Sequence, residues 1–492
     1  MFHQFLESKI RGKRLRAAEL RGRRDRFEEL PDEILTTIVS LLPLREAVRT
    51  SFMSKRWRFI WASHSDLKFD FVNVLGSRAH RFRNTCDFES KRQVQRRKFV
   101  NRVDKIMDER RIRGDKINSL AIHFHLGKNF SSHIDHWINS AVLKGVESID
   151  IDLSECTSFR NGGATSNSFE HHQFRASPLE GKHNLRQLRL DSCTFSAPLS
   201  YKSLGSLKSI ELRRVCIDDG LLMDLLSNCL SLKKLSLHLC QDLVNLKFTN
   251  SSHQLKFLDI KDCFRLNGIE VSSENLTRLE YTGHPSSFIF KQVPKLTDVY
   301  LKFTNKNRID GVTYALTKLA SEVTHLEKLN LISILSIKAL ELPDNGPVFT
   351  NVKELIMAIY PFDDEDNLSW IAYILRAFPL LQRLQLNLFS PSFIKQPKEV
   401  DRLLPQCHHE HLTELEINGF YGNLHEAELL MYLLENVISL KRLVVGTNQK
   451  IFKGFENWVY EEANSFYKSR MKTTVSSWLN QIIPKTIHLE IR

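Results

Sequence analysis

Aliphatic residues recur along most of this chain in the six-residue phrase LxxLxL, in which other aliphatic residues can replace leucine. Clear copies begin at 185, 207, 232, 255, 276, 296, 326, 352, 381, 412 and 440, and weaker copies begin at 117 and 146. Successive clear copies start 20 to 31 residues apart. Apolar and polar positions alternate within the phrase, which predicts a short strand with one buried face. One such unit cannot bury that face alone, so we expect the units to stack side by side.

The interval between copies is typical of leucine-rich repeats, whose period is about 20–29 residues. We therefore predict an α/β solenoid over residues 117–406, a leucine-rich-repeat horseshoe with a parallel sheet on its concave face. The cysteines support this register, because Cys193, Cys240 and Cys263 each lie eight residues after the first leucine of their copy. Cys216 lies nine residues after its own. Cysteines that repeat in this way are expected to be buried and structural rather than reactive.

The polar positions of each predicted strand would line the concave side of the solenoid. They carry charges of both signs with occasional aromatic residues, which suits a protein or a small-ligand partner. The alternative is an ordinary solvated sheet face, since few residues of an interface carry most of the binding energy. The candidate partner-binding residues are Arg189, Asp191, Glu211, Arg213, Lys234, His238, Phe257, Asp259 and Tyr300.

Residues 27–66 do not follow this repeat and have a different spacing of apolar residues. Pro31 is placed as a first-turn proline, and the apolar residues after it have the spacing of an amphipathic helix. Pro43 ends that helix, and two further short helices follow, the third capped by Ser54. Three helices in about 40 residues cannot bury all of these large apolar side chains among themselves. Some must meet another surface, which is either the following repeats or a separate protein, and composition leaves both open.

The phrases ELPDEIL, LPLREAVRTSF and SKRWR in this segment resemble, in order and spacing, the F-box of plant F-box/leucine-rich-repeat proteins. LKFD at 67–70 continues the likeness, and residues 407–446, which also hold the last repeats, resemble the FBD segment that often closes these proteins. Phe52 and Met53 stand where that family commonly has a smaller apolar pair, which is a tolerable change.

By this resemblance, the F-box binds a small Skp-family adaptor, which hangs from a cullin scaffold that carries a RING subunit. The residues on the adaptor-contact positions of the motif are Leu30, Pro31, Ile34, Leu35, Ile38, Leu42, Val48 and Trp57. The implied function is the substrate-recognition subunit of an SCF-type E3 ubiquitin ligase, whose repeats bind an unidentified protein substrate. A non-degradative adaptor-binding scaffold needs the same interface and is the alternative.

Positive charge is concentrated in two segments of a chain whose formal net charge is +13. Residues 9–26 carry a local +7 and residues 78–113 a local +8, so the rest of the chain sums to −2. This distribution argues against a long basic groove for nucleic acid, and a basic nucleic-acid-binding protein is the weaker alternative. Residues 1–26 are interpreted as a basic N-terminal arm, either a nuclear-import signal or a solvated tail.

The second basic segment is interpreted as a charged helix near 88–113, within a linker over 67–116 that joins two domains. Its apolar residues fall roughly on one face, as expected of a helix that rests on a neighbour. They are Phe88, Val94, Phe99, Val103 and Ile106. Residues 447–492 are expected to form a C-terminal cap or tail, because terminal repeats need a polar cover.

No signature of a catalytic site occurs in the sequence, neither a P-loop nor GxSxG, HExxH or a catalytic cysteine motif. We therefore expect a non-catalytic subunit without a cofactor. No cysteines form a CxxC pair, and Cys407 with His408, His409 and His411 is too crowded for typical zinc spacing, so no metal is expected. No apolar stretch is long enough to cross a bilayer, and the N-terminal residues lack the apolar core of a secretory signal. Location in the nucleus, the cytoplasm or both is expected, with no membrane partner.

Overall fold

The computed structural model describes residues 29–42, 44–50, 53, 55–61, 64–76, 89–113, 116–154, 172–175, 184–196, 204–248, 254–284, 287–304, 311–336, 348–360, 369–389, 406–452, 458–463 and 465–492. The chain divides into two compact units, Met1–His172 with His183–Leu185, and Gln173–Lys182 with Arg186–Arg492. The basic arm predicted over 1–26 lies outside the described residues. Within the described ranges, every helix is too short or too polar to span a membrane.

The described part of the first unit begins with three short helices, α1 (Asp32–Ser40), α2 (Leu44–Thr50) and α3 (Lys55–Ile60). Pro31 immediately precedes α1, and its carbonyl oxygen accepts hydrogen bonds from the backbone N–H groups of Ile34 and Leu35. Asp32 and Glu33 occupy the first turn, where the positive end of the helix dipole favours negative charge. The predicted three-helix module is therefore present.

Parallel strands follow in the first unit. Its further elements are β1 (Asp66–Asp70), α4 (Phe71–Leu75), α5 (Glu89–Arg113), β2 (Ser119–His123), a 3-10 turn (Lys128–Phe130), α6 (Ser131–Leu143) and β3 (Ser148–Asp152). Strand β2 pairs with both β1 and β3, so that the buried Leu120 lies opposite Leu67 on one side and Ile149 on the other. The two weak copies of the repeat phrase thus supply strands, and β1 adds a strand that the repeat pattern did not mark.

Helix α5 confirms the helix predicted near 88–113, although it is not a solvated linker. It packs on α4 and α6. Its buried side chains recur every three or four residues, at Arg96, Phe99, Val103, Met107 and Arg110. Val94, predicted to lie on the same face, is exposed, and Phe88 lies outside the described residues. The linker interpretation of 67–116 is corrected, because β1, α4 and α5 help to build the core of the first unit.

A long parallel sheet runs through the second unit. Its strands, each hydrogen-bonded to the next, are β5 (Gln187–Asp191), β7 (Ser209–Arg213), β8 (Lys234–His238), β10 (Phe257–Lys261), β12 (Arg278–Gly283), β14 (Asp298–Phe303), β15 (Lys328–Ser336), β16 (Glu354–Tyr360), β17 (Arg383–Leu388), β18 (Glu414–Asn418), β19 (Arg442–Gly446) and β22 (His488–Ile491). Equivalent repeat positions face one another, as Leu235 lies opposite both Ile210 and Leu258. This stacking of buried apolar positions confirms the predicted α/β solenoid.

Shorter elements connect these strands. Their bounds are β4 (Gln173–Arg175), β6 (Thr194–Ser196), a 3-10 turn (Leu204–Ser206), α7 (Asp219–Ser227), β9 (Asn245–Phe248), β11 (Gly268–Val271), β13 (Ser287–Phe290), α8 (Gly311–Glu322), α9 (Ser369–Ala377), α10 (Leu424–Asn436), β20 (Gln449–Phe452), β21 (Trp458–Glu461), α11 (Ser465–Arg470), a π-helical turn (Met471–Val475) and α12 (Ser476–Ile482). Strands β9, β11 and β13 form a small parallel sheet, and β4 pairs with β6. Strands β20 and β21 pair antiparallel and form the C-terminal hairpin.

A left-handed residue ends the strand in several repeats, always at the eighth position counted from the first leucine. The φ angles are 59° at Ser192, 48° at Arg214, 55° at Leu239, 54° at Asp262 and 74° at Gly419. The sharp turn sends the ninth residue back into the core. There the thiol of Cys240 donates a weak hydrogen bond to the backbone oxygen of Leu212 at 3.6 Å, and the thiol of Cys263 does the same to Leu237 at 3.6 Å. These two repeats are thereby linked to the ones before them.

Three of the four repeated cysteines are buried, as predicted. Cys193, Cys240 and Cys263 all lie in the core. Burial raises the pKa of the Cys193 thiol, so this side chain stays protonated and unreactive at neutral pH. Cys216 differs because Val215 takes the buried position of that repeat and leaves Cys216 half-buried.

Candidate functional site

Helix α1 presents an apolar ridge on its outer side. Ile34, Ile38 and Leu41, the residue that follows the helix, are spaced four and three residues apart and therefore share one face. Ile34 is 46% exposed and Leu41 81% exposed, while Ile38 is half-buried. We call these three residues the α1 ridge. A line of apolar side chains along a helix is suited to a groove on another polypeptide.

The inner side of the three helices is closed by contacts among them and with α5. One buried cluster contains Leu35, Val39, Ala47, Trp57, Ile60 and Trp61. Partly buried residues pack on its edge, namely Leu30, Leu42, Val48 and, from α5, Ile106. The guanidinium carbon of Arg110 lies 5.6 Å from the centre of the Trp61 ring, a cation–π contact. The module therefore completes its core within the first unit.

This packing corrects two of the predicted adaptor contacts, Leu35 and Trp57. Both are buried inside the module, because Leu35 lies on the side of α1 away from the α1 ridge and Trp57 belongs to the same inner cluster. The expectation that they form an outward patch for a second polypeptide is wrong. An amphipathic pattern shows that a side chain belongs to an apolar face, and it does not show which molecule covers that face.

The other predicted adaptor contacts keep accessible surface. Pro31 and Ile34 are exposed. Half-buried are Leu30, Ile38, Leu42 and Val48. Leu41 was missed as a contact, although its place seven residues after Ile34, two helical turns along, could have revealed it. Met53 is a further exposed apolar residue of the module that was missed as a contact, although its position in the F-box-like motif was noted.

A charged side chain fixes the beginning of the α1 ridge. Arg56 of α3 donates from Nε to Oδ1 of Asp32 at 2.6 Å, and its Nη2 donates to the backbone oxygen of Leu30. These bonds join the start of α1 to α3 across the module. A charge-assisted hydrogen bond of this kind orients as well as stabilises, so it fixes the position of Pro31 and Ile34 relative to α3.

The outer face of the sheet in the second unit carries the candidate partner-binding residues. Those with accessible surface are Arg189, Glu211, Arg213, Lys234, His238 and Phe257, all half-buried. Asp191, Asp259 and Tyr300 are buried, so the expectation that these three side chains are accessible to a partner is corrected for the folded chain. The alternation assigned them to the outer face, and neighbouring side chains on that face cover them.

Ion pairs join strands β8, β10 and β12 across this face. Asp259 accepts from His238 Nε2 at 2.7 Å and pairs with Lys261 Nζ at 2.9 Å. Lys261 Nζ also lies 3.2 Å from a carboxylate oxygen of Glu280, whose other oxygen is 2.9 Å from Arg278. The side chains of Asp259 and Glu280 are 0% exposed. Each of these two buried carboxylates thus has two basic neighbours, as buried charges require. We call this set the carboxylate row.

A third buried carboxylate lies at the β5 end of the sheet. Asp191 accepts from Arg214 Nη2 at 2.7 Å and from the Ser192 hydroxyl at 2.9 Å. Beside it, Arg189 pairs with Glu211 at 3.3 Å on the adjacent strand. Paired charges of both signs, fixed on a rigid sheet, can orient hydrogen bonds to a protein partner with little further ordering.

The C-terminal hairpin covers another part of the face. Its Phe452 ring lies 4.0 Å, centre to centre, from the Tyr300 ring of β14. Burial raises the pKa of the Tyr300 hydroxyl, and the nearby carboxylates of Glu280 and Asp259 raise it further. The segment predicted as cap or tail therefore contributes both this cover and strand β22, in which Leu489 pairs with Leu443 of β19.

His409 in the FBD-like segment uses both ring nitrogens for backbone hydrogen bonds. Its Nε2 lies 2.9 Å from the oxygen of Phe378, and its Nδ1 accepts from the N–H groups of His411 and Leu412 at 3.3 and 3.1 Å. Burial lowers the pKa of His409 and so favours the neutral ring, although the hydrogen bond to Phe378 acts in the opposite direction. Within the described part of the chain, no three His, Cys, Asp or Glu side chains come together in a group that could hold a metal ion.

Comparison with known proteins covers both modules. The family model for the F-box domain matches residues 27–69, and the model described as the At1g61320/AtMIF1 LRR domain matches residues 106–492. In Arabidopsis thaliana, the putative F-box/LRR-repeat protein At5g54820 is 25% identical over 439 residues, which cover 84% of this chain and 88% of that protein. The putative F-box/FBD/LRR-repeat protein At4g03220 is 25% identical over 488 residues, with 86% and 89% covered. The FBD-associated F-box protein At4g10400 is 23% identical over 450 residues, with 88% and 95% covered.

Proposed function

From the premise that this chain belongs to the plant F-box/LRR proteins, with repeats of the At1g61320/AtMIF1 LRR family, we propose that it is the substrate-recognition subunit of an SCF-type ubiquitin ligase. The F-box and the repeats support such a role in general. The finer assignment is that the F-box docks on a Skp-family adaptor, and through it on cullin and RING subunits. The repeats hold a protein substrate.

The α1 ridge is the observation that carries the docking assignment. The three helices and α5 complete the core of the module, yet Ile34 and Leu41 remain on the outside as large apolar side chains. Exposed apolar residues in line along a helix favour association with a second polypeptide. Truncation of a well-buried interface anchor typically weakens binding by about 2–4 kcal/mol. The α1 ridge, rather than Trp57, is therefore where a substitution separates docking from folding.

The proposed function needs no catalytic side chain on this chain. A receptor that holds a substrate beside a charged conjugating enzyme raises the effective concentration of the substrate lysine. The two parts required are a docking surface and a recognition surface. The α1 ridge supports the first role, and the charged outer face of the sheet supports the second.

The test is affinity purification under proteasome inhibition of the intact protein, an Ile34→Arg variant and a Ser40→Arg control. Ser40 is exposed on the same helix, away from the α1 ridge. The adaptor, cullin and RING subunits should be recovered with the intact protein and the control but not with Ile34→Arg. Substrates should be recovered with all three proteins and carry ubiquitin only when the ridge is intact.

Two results would count against the proposal. Equal recovery of the adaptor with Ile34→Arg would refute docking through the α1 ridge. A stable partner that never carries ubiquitin, and whose cellular level does not respond to proteasome inhibition, would favour the non-degradative scaffold.

A further inference from the structure

The C-terminal hairpin lies on the outer face of the sheet without joining it. Strands β20 and β21 form their own two-stranded sheet, with Phe452 opposite Trp458. The Phe452 side chain is buried in a cluster with Tyr300, Ile332 and Ala358, which come from three neighbouring strands of the long sheet. The hairpin therefore inserts one aromatic ring into a small apolar site on the face that the repeats offer to partners.

A lysine two residues before that ring makes the polar half of the contact. Lys450 Nζ lies 3.0 Å from Oε1 of Gln385 on β17 and 3.2 Å from Oε1 of Glu416 on β18. Burial raises the pKa of the Glu416 carboxyl, but hydrogen bonds from Asn418 and Lys450, and the charges of Lys450 and Arg383, bring it below its usual range. The carboxylate is thus kept ionised to receive a cation.

Beyond Phe452, the hairpin contributes the partly buried ring of Trp458, which packs against the same cluster. Phe452 is the buried residue of β20, whereas Val459, Tyr460 and Glu461 of β21 are exposed. Isolated two-stranded hairpins are at best marginally stable in water. Phe452, with Trp458 beside it, and Lys450 therefore supply the main apolar and charged contacts of the hairpin with the sheet, and a competing segment must match these groups.

We infer that Tyr300, Ile332 and Ala358, with Gln385 and Glu416, form a peptide-binding site for a segment with a basic residue two positions before an aromatic one, and that the hairpin is its built-in occupant. The inference rests on the proposed function, because it names the chemistry of the substrate segment. The substrate binds by displacing Lys450 and Phe452 from the face. The accessible residues of β5 to β10 lie on the same sheet and extend the contact.

The docked hairpin competes with a partner segment for this site and so raises the affinity that the partner needs. A tethered segment acts at an effective concentration of about 1 mM when its tether is short. A free segment with the same contacts must compete with that concentration, so only a partner with further contacts along the sheet displaces it. Removal of the Phe452 ring from the hairpin should tighten the binding of a free segment by about tenfold or more.

The test uses the full chain and a fluorescent peptide with the sequence of residues 447–462, followed by fluorescence anisotropy. The peptide should bind Phe452→Ala at least about tenfold more tightly than wild type. Val459→Ala is the matched control on the same hairpin, and it should bind as weakly as wild type. Adding Ala358→Arg to the Phe452→Ala protein should abolish binding, with circular dichroism confirming the fold. A peptide whose own phenylalanine at position 452 is alanine should not bind either, which needs no change to the receptor.

Equal binding to wild type and Phe452→Ala, no binding to Phe452→Ala, or equal binding of the alanine peptide would each overturn the inference. Adaptor recovery with Phe452→Ala keeps this outcome separate from the proposed function. If the adaptor is recovered and the peptide result is negative, the peptide site alone fails. If the adaptor is not recovered with any form of the protein, the proposed function fails, while the anisotropy result still decides whether the site binds this peptide.

Discussion

Replacing Lys261 by methionine tests whether the carboxylate row is held together by paired charge. The ammonium group of Lys261 lies between Asp259 and Glu280, at 2.9 and 3.2 Å from their oxygens. Methionine keeps most of the length and apolar character of the side chain and removes the charge. Asp259 then retains only His238, and Glu280 only Arg278, among the basic partners described for the row. Two carboxylates without exposed surface would lose the cation that they share.

The expected loss of stability is large for a single substitution. Removing one partner of a buried ion pair lowers the free energy of unfolding by about 3–5 kcal/mol. With an unfolding entropy of about 2.1 cal/mol/K per residue over the roughly 300 residues of the second unit, this lowers the apparent Tm by about 5–8 °C. Adding Glu280→Gln to Lys261→Met should restore part of that loss, because one of the uncompensated charges is removed.

Thermal unfolding followed by circular dichroism provides the measurement. The matched control is Lys233→Met, the same substitution at an exposed position just before β8. It should change the free energy of unfolding by no more than about 0.5 kcal/mol. If Lys261→Met shifts the Tm no further than this control, or if the added Glu280→Gln lowers stability again by a similar amount, the account of the carboxylate row is refuted.

Three further substitutions probe the module, the repeat turns and the hairpin. Trp57→Ala should destabilise the module by about 3–5 kcal/mol and abolish adaptor binding through loss of folding, and unchanged helix content by circular dichroism would contradict its core assignment. Gly419→Ala places a Cβ 2.3 Å from the Leu388 backbone oxygen at a φ of 74°. It should lower the Tm measured by calorimetry, because the left-handed backbone conformation alone costs about 1–2 kcal/mol for a residue with a Cβ. An unchanged thermal transition would refute the crowding between that Cβ and the Leu388 oxygen. The pKa of Glu416 is lower in the folded protein than in the unfolded chain, where it is about 4.5. The contribution of Glu416 to hairpin docking is therefore fully present above pH 4.5, and it is lost as the pH falls through the lower pKa of the folded protein. The fluorescence of Trp458, taken as the difference from Trp458→Phe, should report release in acid for wild type, and the titration should be missing in Glu416→Gln.

The repeat architecture could be predicted from the sequence because it depends on local periodicity. Each LxxLxL copy specifies its own strand. Adjacent strands then pair through equivalent positions, as Leu235 does with Ile210 and Leu258. The buried cysteines followed from the same count. The exception, Cys216, arose because Val215 stands at the ninth position, a one-residue shift that the spacing already contained.

The coverage of surfaces could not be predicted, because it depends on contacts between distant parts of the chain. Trp57 and Ile34 both belong to apolar faces, and only the packing of three helices shows that one is buried and the other exposed. Tyr300 was correctly assigned to the outer face, yet Phe452, far along the chain, covers it. Strand β1 is short and lies beside a charged segment, so its place in the sheet depends on pairing with β2 rather than on its own pattern.

The most direct test of the central claim is calorimetric titration of the purified chain with a Skp-family adaptor. The account predicts saturable one-to-one binding, weakened by about 2 kcal/mol or more, roughly thirtyfold, in Ile34→Arg and in Leu41→Asp. Ser40→Arg should bind as wild type does, and all three variants should keep the wild-type Tm within about 2 °C. Absence of binding by the wild-type chain, or equal affinity of Ile34→Arg and Leu41→Asp with wild type, would contradict docking through the α1 ridge.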